Sequence, residues 1–435
     1  MSCIAEVGFR ILKSVYHLAM GLASPVLDAR SAYYLRRIRN RATASKASGR
    51  IRVAFFVFEP ETWDKQEPVF REMENRDDFE VEIVVVPNFN SSFGVRSVYG
   101  RELEFFKTVS DNVTPAYSED GKLIDLSKRD YDYIFYGDSY NRHMPWKLRS
   151  HQAIRYSKIC YVPYGYTGSS VFDPISDNRE FFRNVYMTFF DIEETVSNRR
   201  TACRKTCSLG LQHFEYLGYP ALEKYYFAEG SSLGVEGSAP VVSWTPRWSY
   251  DEKIGGSHFL EYKDDFLDLA EHSSHFDYIL RPHPMMFCEF LSKGLMTESS
   301  VAHYKDRLNG LGVKLSEEES ITDVLLGTDI LISDYSSILM MFFLTGRPII
   351  YCDSSIPFNN AYNKMRQGMY IANSWADVER YIDSIDKGDD FLKEKRESII
   401  RDYFGDMEGS AARIVDKLIA VSYTHLRAHE TGRNL

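Results

Sequence analysis

A hydroxyl-rich segment in the second half of the chain, Ile332-Ser333-Asp334-Tyr335-Ser336-Ser337, has the composition of a phosphate-binding turn. The apolar residues before it have the length of a buried strand, and the apolar run at 338–344 predicts a helix. Free backbone N–H groups and the positive end of the helix dipole attract phosphate to such a turn. Asp334 or Ser336 could equally serve only as an ordinary cap of that helix.

Two further segments of the same half follow predicted strands and carry basic side chains. In Leu280-Arg281-Pro282-His283-Pro284 the prolines restrain the backbone on both sides of His283, while Arg281 offers a planar guanidinium to phosphate. His283 could act as an acid, as a base or as a donor to a phosphate oxygen. In Trp244-Thr245-Pro246-Arg247-Trp248, Arg247 could bind phosphate or form an ion pair on a surface loop. A glycine-rich turn then brings His258.

The first half contains candidate residues for an acceptor. Tyr164 and Gly165 follow a predicted strand in the segment Tyr161-Val162-Pro163-Tyr164-Gly165-Tyr166-Thr167-Gly168. Asp138 and His143 follow another strand in Gly137-Asp138-Ser139-Tyr140-Asn141-Arg142-His143. These segments predict the acceptor side of the site, and ordinary packed loops are the alternative.

Buried strands alternate with helical stretches twice along the chain, which predicts an α/β fold with parallel sheets. The first series runs from 51–58 to 185–190 and the second from 241–244 to 348–351. Polar or Gly/Ser-rich stretches at 42–49 and 230–240 predict linkers. We therefore predict two Rossmann-like domains facing across a cleft, at 50–230 and 231–420. The three motifs of the second half should meet at one sheet edge, where such folds bind ligands.

Both ends of the chain fall outside this alternation. Residues 1–49 form a basic, amphipathic arm with a helical pattern, which suits the anionic inner face of a membrane. An arm packed on its own domain and a dimer contact are the alternatives. No apolar run approaches the ~20 residues of a spanning helix, and no signal peptide is evident. The tail 421–435 breaks the helical pattern and resembles translated sequencing-adapter sequence, so we predict that it is non-native and contributes nothing to function.

Composition narrows the possible partners and cofactors. The net charge of -10 argues against a nucleic-acid partner, because phosphate neutralisation dominates that affinity. The six cysteines form no zinc pattern and predict reduced thiols in a cytoplasmic protein. There is no Walker loop and no GxGxxG, and the acidic pair Asp264-Asp265 falls in a helical stretch. We predict no metal and no cofactor besides a nucleotide donor, whose diphosphate Arg, His and a helix dipole neutralise.

The segments at 281–284 and 333–337, followed by Gly346-Arg347-Pro348, resemble the CDP-glycerol:glycerophosphate glycerophosphotransferases, the teichoic-acid primases and polymerases. The resemblance covers the second half well and the first half loosely. It implies a GT-B-like fold and a peripheral membrane enzyme that transfers glycerol phosphate from CDP-glycerol to a lipid-linked or polymeric acceptor. It also implies that Arg281 and His283 act at the donor phosphates and that Ser336 and Ser337 hold the diphosphate.

The first half departs from the family's pattern at one position. The family carries Trp-His-Gly-Thr, whose histidine is a candidate general base, where this chain has Pro163-Tyr164-Gly165-Tyr166. Tyrosine has a reference pKa of about 10 and is a poor base at neutral pH. His258, His143 or Asp138 could serve as the base instead. The catalytic candidates are His283, Tyr164 and His258.

Two other functions fit the same motifs. A GT-B glycosyltransferase would use the same Arg, His and Ser groups on a nucleotide sugar. The missing histidine also allows a catalytically inactive protein that binds nucleotide or glycan in an envelope-assembly complex.

Overall fold

The computed structural model describes residues 22–39, 49–87, 100–163, 179–229, 239–251, 256–317, 320–354 and 356–431. Contacts between residues divide this part of the chain into two compact units. The first unit contains 22–163, 179–221 and 409–431, and the second contains 222–408. Most of the two predicted linkers, at 42–48 and 230–238, lies outside the described residues.

The first unit is built on a parallel sheet of seven strands in the order β3-β2-β1-β4-β5-β6-β7. The strands in chain order are β1 (Ile51–Val57), β2 (Phe79–Val85), β3 (Val113–Pro115), β4 (Tyr133–Tyr136), β5 (Lys158–Tyr161), β6 (Met187–Phe189) and β7 (His213–Glu215). The α-helices are α1 (22–39), α2 (Glu67–Glu74), α3 (Arg101–Val109), α4 (Ser150–Ala153), α5 (Arg179–Phe182), α6 (Glu193–Ala202) and α7 (Arg204–Ser208). Short 3-10 turns lie at Pro60–Lys65, Leu126–Lys128, Asn141–His143, Trp146–Leu148 and Pro220–Tyr225.

The second unit repeats the arrangement with six parallel strands in the order β10-β9-β8-β11-β12-β13. The strands are β8 (Val241–Thr245), β9 (Asp277–Leu280), β10 (Lys314–Leu315), β11 (Ile330–Ser333), β12 (Ile349–Cys352) and β13 (Tyr370–Ala372). The helices are α8 (Phe259–His272), α9 (Met286–Ser292), α10 (Glu298–Gly310), α11 (Ile321–Leu326), α12 (Ile338–Phe343), α13 (Asn360–Arg366), α14 (Trp375–Asp386) and α15 (Lys393–Ile399). A π-helical turn at Ile400–Phe404 follows, and α16 (Ser410–Thr431) returns to the first unit. The predicted α/β class with two Rossmann-like domains is confirmed.

Aromatic side chains fix the register inside each sheet. Phe55 of β1 pairs with Phe135 of β4, and their rings stack with centroids 4.9 Å apart. In the second unit Trp244, the fourth residue of β8, is fully buried among the rings of Phe259, Phe266 and Trp375. Burying such large rings supplies much of the hydrophobic stabilisation of each core.

The edge strands β3, β7 and β13 are absent from the sequence prediction. Each has three residues, and β3 ends in Pro115, which an edge strand tolerates because one side of its backbone needs no partner. So short a run carries too little periodicity to be recognised, and pairing with the neighbouring strand decides its structure.

The C-terminal helix continues beyond the position where its pattern was expected to break. Helix α16 runs through Val421 to Thr431, and Ser422 is buried with its Oγ 2.8 Å from the Tyr133 hydroxyl. Residues up to Ser422 therefore pack on the sheet of the first unit.

Helix α1 has one packed face and one exposed face. Ser24, Ser31, Leu35 and Ile38 are buried, and the Ser31 hydroxyl donates to the Asn184 side chain at 2.8 Å. No helix within the described residues is long and apolar enough to cross a bilayer.

Candidate functional site

The candidate site lies where the strand order of the second sheet reverses. The chain runs outwards from β8 to β9 and β10, then returns to pair β11 with the other side of β8. Thr245 of β8 lies opposite Ser333 of β11, so both strands end at the same level. Ligands of open α/β sheets bind beyond the carboxyl ends of strands at such a reversal.

Asp334, the first residue after β11, connects the loops at this point. Its side chain is fully buried (0% exposed), and Oδ2 accepts hydrogen bonds from the Arg247 backbone N–H at 2.8 Å and from the Ser257 hydroxyl at 3.4 Å. Oδ1 lies 2.7 Å from Nδ1 of His258, whose backbone N–H also reaches Oδ2 at 3.4 Å. A buried carboxylate needs such partners, so Asp334 positions Arg247 and His258.

The pair with Asp334 controls the charge of His258. Burial alone would lower the pKa of His258, but the hydrogen bond to Asp334 and the charge of that carboxylate outweigh it and raise the pKa above its ordinary value. The ring also stacks on Tyr262, with centroids 5.2 Å apart. His258 therefore carries more positive charge near neutral pH than a free histidine would, which suits it to hold an anion.

His283 has the opposite electrostatic character. Burial and the positive charges of Arg247 and Arg281 lower its pKa to about 4, although the residue as a whole is exposed. Nδ1 of His283 accepts from the Met285 backbone N–H at 3.2 Å. The neutral ring consequently carries its proton on Nε2 and can donate from there.

The two arginines are both tied to the loops that carry them. The Arg281 guanidinium donates to the carbonyl oxygen of Ser316 at 2.8 Å. The Arg247 guanidinium donates to the Tyr335 carbonyl at 2.7 Å and lies over the Tyr335 ring, while its Nε is buried without a hydrogen-bond partner. Their electrostatic effect on His283 indicates that the two guanidinium groups and the imidazole lie close together at one edge of the sheet.

Ser336 and Ser337 lie at the start of α12, as the sequence predicts. The Ser336 hydroxyl accepts from the Ile338 backbone N–H at 3.3 Å, which is an ordinary capping contact. Ser337 is exposed and its side chain makes no capping hydrogen bond. Ser336 thus makes the capping contact, and Ser337 carries the exposed hydroxyl. The role of both serines in phosphate binding stays a prediction.

A cavity of about 240 Å³ opens beside the His258–Asp334 pair. Its lining is polar and comes from the loops after β8 and β12 and the first turn of α8: Tyr250, Gly256, Ser257, His258, Glu261, Asp353 and Ser354. Sequence reasoning missed Glu261, Asp353 and Ser354. The position of Asp353 directly after β12 was the available signal, since the neighbouring strands carry the motifs there.

His258, Asp334 and Cys352 also bring possible metal-binding atoms within 4.8 Å of one another. The two Asp334 oxygens already accept hydrogen bonds, and burial, followed by the charge of Asp334, raises the pKa of the Cys352 thiol well above its usual range. A thiol must ionise to bind a metal well. The donor set therefore favours a hydrogen-bonded pair over a metal centre.

Arg347, from the third segment of the family resemblance, has a structural role. Its guanidinium donates to the carbonyl oxygens of Leu326 at 3.0 Å and Leu325 at 3.1 Å, and also to that of Thr328. It thus satisfies backbone groups at the end of α11 that have no partner inside the helix.

In the first unit, Asp138 and His143 are also brought together. Nδ1 of His143 lies 2.7 Å from Asp138 Oδ2, at the end of β4. Tyr164 and Gly165 lie outside the described residues.

Solved structures with the same fold include enzymes that act on nucleotide-linked substrates. UDP-GlcNAc 2-epimerase from Neisseria meningitidis, bound to UDP-GlcNAc, shares 10% identity with a TM-score of 0.55, over 85% of this chain and 100% of that one. The wall teichoic acid polymerase TagF, soaked with CDPG, shares 12% identity with a TM-score of 0.52, over 96% of this chain and 98% of that one. No curated protein matches the chain by sequence. These likenesses confirm the GT-B-like fold class.

One segment of the chain, which includes the whole of 222–408, matches a known family. Residues 211–420 match the sequence profile of CDP-Glycerol:Poly(glycerophosphate) glycerophosphotransferase. The matched residues contain all the motifs clustered at the reversal of the second sheet. The resemblance seen in the sequence is confirmed for this segment, and the match supports a CDP-glycerol glycerophosphotransferase-like enzyme.

Proposed function

We propose that the protein transfers glycerol phosphate, or a related alditol phosphate, from a CDP-linked donor to a hydroxyl of a membrane-linked acceptor of the teichoic-acid type, and releases CMP. The clustering of His283, Arg281, Arg247 and His258 at one sheet edge, within the segment that matches the glycerophosphotransferases, carries the proposal. Phosphoryl transfer needs mainly positioning and charge stabilisation, which these groups supply.

His258 and His283 would act differently on the donor, because their pKa values are shifted in opposite directions. His258, whose pKa is raised by its pair with Asp334, favours the charged form and would hold the diphosphate by charge, whereas neutral His283 would donate a hydrogen bond from Nε2. Oxygen atoms of the diphosphate gain charge as CMP leaves, and preorganised donors stabilise that charge. The carboxylates of Glu261 and Asp353 would accept hydrogen bonds from donor hydroxyl groups in the adjoining cavity. No metal or further cofactor enters this proposal.

A donor screen tests the proposal. Full-length protein is incubated with CDP-glycerol, CDP-ribitol and UDP-sugars, with poly(glycerol phosphate) or a membrane-lipid extract as acceptor, and CMP and UDP are measured. We expect CMP release that depends on the acceptor. UDP release would indicate a glycosyltransferase, and nucleotide binding without turnover would indicate an inactive binding protein.

We also propose that the enzyme works at the inner face of the cytoplasmic membrane, with α1 as its contact. The exposed face of α1 carries Leu22, Val26 and Tyr33, which are 76%, 71% and 59% exposed. These positions fall within about 40° of one another on a helix of 3.6 residues per turn. Exposed Arg36 and Arg37 follow on the same helix, and apolar side chains beside basic ones favour an anionic bilayer.

Vesicle sedimentation tests this contact. Deleting residues 1–45 would also remove the packed face of α1, so Leu22→Ser, Val26→Ser and Tyr33→Ser are combined instead. We expect binding to phosphatidylglycerol vesicles to fall about tenfold or more, since burying each apolar side chain contributes about 1.5–3 kcal/mol. Equal binding of wild type and variant would reject the proposal.

A further inference from the structure

Large exposed apolar side chains of the first unit gather around helix α1. Within the described residues of that unit, the large apolar side chains that are at least 41% exposed are Leu22, Val26, Tyr33, Trp146 and Leu209. The first three belong to α1 itself, and the other two come from segments that contact it. Single exposed apolar residues are common on proteins, but a group of them marks a contact site.

Trp146 is held beside the middle of α1. Its ring lies against that of His151, with centroids 5.5 Å apart, and Arg30 of α1 donates to the His151 carbonyl oxygen at 3.3 Å. Met144 and Leu148, before and after the exposed ring, are fully buried and anchor the 3-10 turn. Trp146 nevertheless stays 58% exposed, so the fold itself directs this ring towards the surface.

Leu209 is held beside the C-terminal end of α1. The Arg39 guanidinium, on the last described residue of that helix, donates to the Leu209 carbonyl oxygen. The Leu209 side chain is 41% exposed, and Arg204 and Lys205 of helix α7 just before it are exposed as well. An apolar side chain and two cations therefore adjoin the end of α1.

These two contacts lie on opposite flanks of the apolar stripe of α1 that includes Val26. On a helix of 3.6 residues per turn, Arg30 falls about 60° to one side of the stripe and Arg39 about 120° to the other. Trp146 and Leu209 consequently flank α1 on its two sides. The three segments together are named the α1 surface, and their residues are 22–39, 144–155 and 203–210.

The α1 surface is basic, although the whole chain has a net charge of -10. Its three segments contain one carboxylate side chain, Asp28, which pairs with Arg179 at 2.7 Å and with Arg183 at 3.4 Å. Glu180 lies beside it, 3.9 Å from Nδ1 of His151. The exposed basic residues of the surface are Arg30, Arg36, Arg37, Lys147, Arg155, Arg204 and Lys205.

The combination of charge and apolar area favours a bilayer over other partners. In a two-fold contact with a second copy of the chain, the same basic residues would face one another and repel. A soluble polyanion would leave the apolar side chains in water. An anionic bilayer accommodates both, because aromatic rings partition to its interface and basic residues are attracted to its lipid phosphates.

We propose that the α1 surface is a composite docking face for anionic phospholipid. Trp146 enters the headgroup region on one flank of α1, and Leu209, with Arg204 and Lys205, contacts it on the other. This inference rests on the proposed contact of α1 with the membrane and extends that contact to two segments distant in the chain. A single helix would let the first unit tilt about the helix axis, whereas contacts on both flanks fix the orientation of that unit on the bilayer.

Quenching by brominated lipid tests the position of Trp146. Full-length protein is saturated with phosphatidylglycerol vesicles that carry bromine on their acyl chains, and tryptophan fluorescence is measured. Of the five tryptophans, Trp63, Trp244 and Trp375 are buried and Trp248 is partly buried. Trp146→Phe should therefore remove most of the quenching while the protein stays bound. Quenching that persists in this variant would overturn the inference.

Vesicle sedimentation measures what each flank contributes. Trp146→Ser should weaken binding to phosphatidylglycerol vesicles about tenfold, because the ring no longer leaves water on binding. Arg204→Ser combined with Lys205→Ser should weaken it about tenfold as well, and this loss should shrink at high salt. Phe391→Ser is the matched control, since its ring is 60% exposed but belongs to the second unit, and it should bind like wild type.

The outcomes separate this inference from the proposals on which it depends. If the triple variant of α1 loses binding while Trp146→Ser and the Arg204/Lys205 variant bind like wild type, α1 is the contact and the composite face is wrong. An equal loss in Phe391→Ser would also overturn it. Tighter binding of soluble poly(glycerol phosphate) than of vesicles, lost in the same variants, would assign the surface to the acceptor polymer. Wild type that binds no anionic vesicle would refute the membrane contact itself, and none of these results depends on CMP release.

Discussion

The reversal points of the two sheets each carry a histidine paired with an aspartate at 2.7 Å, and their surroundings give the pairs different chemistry. Asp334 is fully buried and accepts hydrogen bonds from Arg247 and Ser257 besides its pair with His258, and that pair raises the pKa of the histidine. Asp138 keeps more exposure, and the neighbour of its histidine is the cationic Arg142. The same strand arrangement thus surrounds one aspartate with further hydrogen-bond donors and sets the other pair beside a cation.

The largest effect is expected at His283. Replacing His283 with Ala should lower acceptor-dependent CMP release about 10²- to 10⁴-fold, because Nε2–H stabilises charge that grows only during transfer. Circular dichroism should show an intact fold, since the residue is exposed. His303→Ala, also exposed and in the same unit, is the control. Full activity of His283→Ala would place the donor elsewhere.

Replacing Asp334 and replacing Asp138 should lower the free energy of unfolding by different amounts. Asp334→Asn puts an amide among buried donors and should lower the free energy of unfolding by about 2–4 kcal/mol. Asp138→Asn should lower it by about 1 kcal/mol or less, because the Asp138 side chain keeps more exposure. Urea unfolding of both variants measures the difference, and equal losses would show that burial does not distinguish the pairs.

Arg347 should affect stability without affecting catalysis. Arg347→Lys cannot reach the same carbonyl groups at the end of α11, so unfolding should become easier by about 1–3 kcal/mol. The transfer rate at 25 °C should stay within twofold of wild type. A large fall in rate with unchanged thermal stability would assign Arg347 to the site instead.

The smallest effect concerns proton uptake at the donor site. The pKa of His283 is about 4 in the free protein, held down by burial and by Arg247 and Arg281. A bound diphosphate offsets those charges and raises the pKa, so part of a proton should be taken up when CDP binds near pH 5.5. Calorimetry in buffers of different ionisation enthalpy measures it. His283→Asn should remove the uptake, and uptake that persists would assign it to another group.

Most strands were predictable because buried parallel strands form continuous apolar runs, as at 133–136. The donor motifs were predictable for the same reason, since each follows such a run directly. The pairing of His258 with Asp334 was not predictable, because Asp334 lies 76 residues away and only the pairing of β8 with β11 brings the two residues together. Arg347 shows that a motif can also mislead. Its segment is typical of the family, but its guanidinium binds carbonyl oxygens at the end of α11.

By itself the sequence determined the α/β class, the family of the second half and the residue types at each strand end, because these depend on local pattern. Only the tertiary structure decided in which direction the pKa values of His258 and His283 move, which aspartate pairs with His258 and which arginine is structural. Those properties depend on burial and on hydrogen-bond partners distant in the chain, which strand pairing alone brings together.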